Sequence, residues 1–158
     1  MISYLDLLIE GIRSSRRYFL NHIKGLRDDQ WDWKPYPECK SIRETLAHLI
    51  ADDRATIHML ETGQFPDFGS LLESETGTEK LESLLSDSHE KLCEFIKAKF
   101  SSTPLDTLVN FWEGPVPLAQ AITGISSEDY YHAGQVAFIR MATDPGWDYY
   151  RSIYNFAE

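Results

Sequence analysis

Leu5, Leu8, Ile9, Ile12, Phe19, Leu20 and Ile23 recur at steps of three and four residues, the period of a helix that buries one face. Ser3 stands where such a helix wants an N-cap, and Gly25 can close its end. One charge, Arg16, falls inside the stripe. Its stem is expected to lie along the core with the head snorkelling out to water, a buried ligand-binding charge being the alternative. Residues 26–40 follow as a linker in which Pro35 and Pro37 forbid regular helix, and Trp31 and Trp33 are expected to pack it onto the rest.

Ser41-Ile42-Arg43-Glu44 has the S-x-x-E form of a capping box and opens a second helix, which runs to about Thr62, before Gly63. A third begins near Thr78, places Leu81, Leu84, Leu85, Leu92, Phe95 and Ile96 on one face, and stops at Ser101-Ser102-Thr103-Pro104. The acids of residues 73–90 read as a solvated face. The next connection, Leu105 to Pro117, contains a short strand-like run from Thr107 to Trp112. In the fourth helix Leu118, Ile122, Ile125, Val136 and Ile139 share a stripe, although Gly124 and Ser126-Ser127 weaken its middle and offer a second N-cap. The tail from Pro145, with Trp147, Tyr150, Ile153 and Tyr154, predicts one more short helix. Together these elements predict an all-α protein: a four-helix bundle with long connections and a short C-terminal helix, one domain over residues 1–158.

Charge narrows the partners. The formal net charge of −10 opposes phosphate backbones and anionic lipid, so neither nucleic acid nor membrane is an expected partner. No apolar run approaches the roughly 18 residues of a membrane span, and Asp6 stands where a signal peptide wants basic residues. Cys39 and Cys93 are far apart and form no C-x-x-C pair, so neither a disulfide framework nor a zinc ribbon is encoded. A soluble cytoplasmic protein is expected.

The informative positions are those where polar residues fall on apolar arcs. Carrying the fourth helix's stripe through its middle at about 100° per residue puts Asp129 and His132 on the arc and Glu128 and Gln135 at its edge. Inward charges are usually paired or bound to a metal, because burying one alone costs several kcal/mol. Glu128 and His132, four residues apart, project from one face about one turn apart, so both can reach one ion; a solvated acid beside a histidine gives the same spacing. A third ligand must come from elsewhere, and His48 on the second helix is the best candidate. It lies off that helix's arc of Ile42, Leu46, Ile50, Ile57 and Leu60, on a flank with Thr45, Asp52 and Met59 that can face a cleft. His22, His58 and His89 have no similarly spaced inward partners and default to surface or core positions. There is no nucleophile elbow around Ser126-Ser127 and no Gly-rich phosphate loop.

The stretch from Gly25 to Pro35 (G-L-R-D-D-Q-W-D-W-K-P), then Ser41 to Leu49 (S-I-R-E-T-L-A-H-L), then Tyr131-His132-Ala133-Gly134-Gln135-Val136, resembles the DinB-like superfamily of small metalloenzymes in order and separation over nearly the whole chain. The resemblance implies a four-helix bundle, often a homodimer, holding a divalent metal through one residue of the second helix and two of the fourth. His48 and His132 match those positions. Glu128 stands where the commonest pattern has histidine; a carboxylate is still a competent ligand, with Zn²⁺ or Ni²⁺ first and Fe²⁺ or Mn²⁺ within reach.

Relatives implied by the resemblance include transferases and isomerases that use low-molecular-weight thiols. The expected partner is therefore a small-molecule thiol or electrophile, and the expected chemistry a metal-activated nucleophile attacking it. Asp52, four residues after His48, is an acceptor for that histidine, a general base, or an acid of the helix surface; Gln135 hydrogen-bonds substrate or a neighbouring helix. Two other classes stand beside the thiol transferase or metal hydrolase: a non-enzymatic metal-binding stress-response module, and a 2-His-1-carboxylate oxygenase.

Overall fold

Every expected helix forms, and its ends show why. In the computed structural model, which describes residues 2–74, 77–112 and 114–154, α1 spans Tyr4–Ile23; the Ser3 hydroxyl accepts from the Asp6 N–H at 3.1 Å, and the Asp6 carboxylate accepts from the Ser3 N–H at 3.3 Å. The Ser41/Glu44 capping box opens α2, Ile42–Thr62, by the same exchange, with distances of 3.2 and 2.8 Å. At its other end Gly63 takes φ 73°, a conformation that favours glycine, and its N–H closes the last turn onto Met59 O at 2.8 Å. α3 runs Thr78–Phe100 and α4 Leu118–Thr143, followed by the short α5, Tyr149–Tyr154.

α4 is unbroken over 26 residues. The break that Gly124 and Ser126-Ser127 suggested is absent because the local hydroxyls bond back to their own helix, Ser127 to Gly124 O at 2.6 Å and Thr123 to Ala119 O at 3.0 Å. The strand-like run becomes one arm of a hairpin. β1, Leu108–Phe111, pairs antiparallel with β2, Gly114–Pro117, placing Leu108 opposite Pro117 and Phe111 opposite Gly114. Prolines are tolerated in β2 because a two-stranded ribbon has only edges. The hairpin rests on α2 and α4.

α1 packs against α4 and α3, and α2 against α3. The hydrophobic core is in two pieces. One gathers Phe19, Ile23, Ile42, Leu46, Ile50, Leu85 and Val136, with Trp31 of the linker buried against it and Trp33 packed beside it. The other gathers Leu5, Ile9, Ile12, Leu60, Leu92, Ile96 and Ile122. Between them, in sequence on all four helices, come Arg16, Asp53, His89 and Asp129, every one buried. Polar residues thus form a layer across the middle of the bundle, and the candidate site lies at its edge.

Candidate metal centre

The layer begins with a closed set of charges. Arg16 is 4% exposed, and its head does not reach water. Nε donates to Asp129 Oδ1 at 2.7 Å, while Nη1 and Nη2 donate to the two oxygens of Asp53 at 3.0 and 3.2 Å. The expectation of a snorkelling head is therefore corrected: two buried carboxylates from α2 and α4 make the interior the better solvent for this guanidinium. Ser15 donates to Asp129 at 2.8 Å, Ser88 to Asp53 at 2.6 Å, and His89 Nε2 to Ile12 O at 3.0 Å, with its Nδ1 3.3 Å from Asp53. Burial pushes the Asp53 carboxyl up, and Arg16, then His89 and Ser88, more than reverse it, leaving it below its ordinary value. Asp129 thus owes its inward position to Arg16 and not to a metal. Asp53 was not among the sequence candidates, although it lies three residues after Ile50 and four before Ile57, on the apolar arc of α2.

Beside this closed set, on the same two helices, the arrangement is open. His48 on α2 and Glu128 and His132 on α4 bring three donor atoms within 4.8 Å of one another. His132 Nε2 lies 3.5 Å from Glu128 Oε2, and His48 Nε2 lies 3.9 Å from that same oxygen. Ligands about 2.1 Å from a tetrahedral ion stand about 3.4 Å apart, so small side-chain adjustments suffice to bind one. The rings of His48 and His132 meet edge to face, with centroids 5.1 Å apart. His132 is buried and His48 half-buried, whereas the Glu128 side chain is 47% exposed and reaches in from the rim.

Hydrogen bonding fixes which nitrogen is free. His132 Nδ1 donates to Gln135 Oε1 at 2.7 Å, which leaves Nε2 as the nitrogen available to an ion, and that buried atom has no hydrogen-bond partner. His132 Nε2 faces the Glu128 carboxylate at 3.5 Å, a gap that a proton on the ring or a bound cation can fill, and the second is the chemistry of a metal site. Gln135 thus bonds within its own helix and positions His132. The imidazoles of His132 and then His48 hold the Glu128 carboxyl down to about 2, so it is anionic. Asp52 Oδ2 lies 3.2 Å from His48 Nε2, buried and otherwise unpartnered. Burial, followed by the charges of Glu128 and Asp53, pushes its carboxyl up to about 8.

A cavity of about 490 Å³ opens beside these residues. His48, Asp52 and Glu128 line one side, and Phe111, Trp112 and Val116 of the hairpin line the other. Neither cysteine lines it, and burial pushes the Cys93 thiol up to about 12, which makes it inert. Of the remaining histidines, His22 is buried with Nδ1 bonded to Tyr18 O, His58 is half-buried on α2, and His89 belongs to the closed set. Among the described residues no helix is long and apolar enough to cross a membrane.

A helical bundle with two histidines and a carboxylate converging beside a cavity defines a class of metal-binding four-helix proteins. The sequence model of the DinB superfamily matches residues 12–136, most of the bundle and all three candidate ligands, and the chain belongs to that superfamily. No curated protein matches the chain.

Proposed function

We propose that the protein is a divalent-metal-dependent enzyme in which His48, Glu128 and His132 hold the ion and a small thiol or water attacks an electrophilic substrate in the adjoining cavity. The carrying observation is the pairing of an open three-ligand cluster with that cavity: three protein ligands leave coordination positions for substrate, and a module that only stores metal has no need of an adjoining space. When bound, a divalent cation lowers the pKa of a coordinated thiol or water. Zn²⁺ and Ni²⁺ suit two imidazoles, and the carboxylate of Glu128 brings Fe²⁺ and Mn²⁺ within range.

The chain's own residues then have distinct tasks. Gln135 holds the His132 ring so that Nε2 faces the ion. Asp52, on the cavity wall with Oδ2 3.2 Å from His48 Nε2, takes the proton of the attacking thiol in the fraction of molecules where its raised carboxyl is ionised. The sulfur lone pair forms the new bond to carbon, and the leaving group departs with its bonding pair. With Cys93 inert and Cys39 outside the cavity, the thiol is a substrate and not a side chain.

Metal content of untagged protein, followed by thiol conjugation to 1-chloro-2,4-dinitrobenzene with Zn²⁺ or Ni²⁺ present, tests this reading. About one ion per chain, and conjugation lost in His132→Ala, is expected. Stoichiometric metal with no conjugation across a panel of thiols and electrophiles would leave a binding module instead.

A further inference from the structure

The hairpin side of the cavity has more exposed aromatic surface than folding alone explains. Trp112, at the hairpin tip, is 37% exposed and Phe65 61% exposed, yet both belong to a connected set of rings. Trp112 lies 5.1 Å from Phe65 and 6.2 Å from Phe68, measured between centroids, and Phe68 lies 5.4 Å from the His48 ring. An aromatic arc therefore runs from the hairpin tip to a candidate metal ligand. Phe111 continues the wall inward, against Gly124 of α4, where an added Cβ would stand 3.3 Å from the Phe111 ring. Glycine at 124 is what lets the hairpin approach α4 this closely.

Charge restricts the occupant as much as shape does. Among the described residues lining the cavity, Arg16 is the one cation, and Asp53 and Asp129 already occupy its guanidinium. Asp52, Asp53 and Glu128 line it as well. Apart from an ion held by His48, Glu128 and His132, nothing on that surface can grip a carboxylate or phosphate, while the Glu128 carboxylate stands ready to repel one. Gln120 supplies a neutral amide.

We infer that the cavity selects an uncharged small molecule with an aromatic body, its ring lying along Trp112 and Phe111 and its reacting end turned toward His48 and Glu128. This names the substrate class for the function proposed above and rests on that reading for the reaction, but not for binding.

Calorimetric titration of the full chain with naphthalene-2-methanol and naphthalene-2-carboxylate, a matched neutral and anionic pair, tests the inference. Both are titrated into EDTA-treated protein, so the result is independent of the metal, and a separate zinc titration judges the ligand cluster. The alcohol is expected to bind at least about 10-fold more tightly than the carboxylate, and Trp112→Ala to weaken the alcohol about 5- to 10-fold, in line with the usual worth of aromatic contacts. Gln120→Lys, on an exposed helix position, should narrow the gap between the two probes about 10-fold by supplying a cation. Equal affinity for both probes, or an unchanged alcohol affinity in Trp112→Ala, overturns the inference even if zinc binds. Failure of the zinc titration with the probe preference intact overturns only the metal reading.

Discussion

Two pairs of consecutive acids, Asp52-Asp53 on α2 and Glu128-Asp129 on α4, divide the polar layer between them. The second member of each pair turns into the core and meets Arg16, within 2.7 to 3.2 Å. The first member, rotated by about 100° on its helix, turns toward the cavity and meets imidazole. In one set the chain supplies its own cation, and nearly every oxygen has a donor. In the other the acceptors outnumber the donors, and His132 Nε2 and Asp52 Oδ2 are left without a hydrogen bond. The same residue types one position apart thus make a structural brace and a candidate reactive site, and the difference is whether the positive charge is built in.

The comparison breaks most visibly if the brace loses its cation. Arg16→Met should leave Asp53 and Asp129 buried without a counter-charge and cost about 3 to 5 kcal/mol in urea unfolding, the usual penalty for removing one partner of a buried pair. A loss below about 1 kcal/mol would show that the brace carries little.

The open set should respond to an added cation as the closed set does not. Zn²⁺ at about 100 times its Kd should stabilise wild type by about 2.7 kcal/mol, roughly 5 to 10 °C in Tm for a chain of this size. His132→Ala should lose the shift; a similar rise in that variant would place the ion elsewhere.

Acid should act on the brace in a defined window. The folded Asp53 carboxyl titrates below its unfolded value of about 3.9, so it contributes stability that is fully present above that value and is lost as pH falls through the folded one. Asp53→Asn should therefore be less stable at neutral pH and show a shallower loss of stability as pH falls below the unfolded value of about 3.9, measured by denaturant unfolding at a series of acid pH values. An identical slope would mean that Asp53 is not held down.

The smallest effect concerns orientation. Gln135→Ala should lower zinc affinity about 10-fold, within the range seen when a ligand's hydrogen-bond partner is removed, and leave unfolding in EDTA nearly unchanged, since the residue is on the surface. Equal loss of affinity and stability would make Gln135 structural.

The helices were legible because their signals are local: Ser3 and Ser41 announce capping boxes, and the apolar stripes give the buried faces. Glu128 and His132 were legible for the same reason, since four residues on one helix fix their separation. His48 could not be derived from its own arc, because what matters is the cleft between α2 and α4. Arg16 misled because a lone charge in a stripe has a local solution, snorkelling, whereas its true partners lie 37 and 113 residues away. Gln135 was expected to bond substrate or another helix, but the donor that claims its oxygen is the His132 ring three residues before it.

The division of the core by the charged layer also has a consequence for registry. Leucine and isoleucine stripes on neighbouring helices can slide by one turn and still bury their surface. Here a one-turn slip of α1 against α4 would carry Arg16 away from Asp129 and bring Ile12 or Phe19 opposite a carboxylate, leaving charges unpaired in the interior. The misaligned packing is thereby penalised by several kcal/mol, while the aligned one is not. A single arginine with two aspartates acts as a vernier that sets the helices to one alignment, and with it the distance at which His48 faces Glu128 and His132.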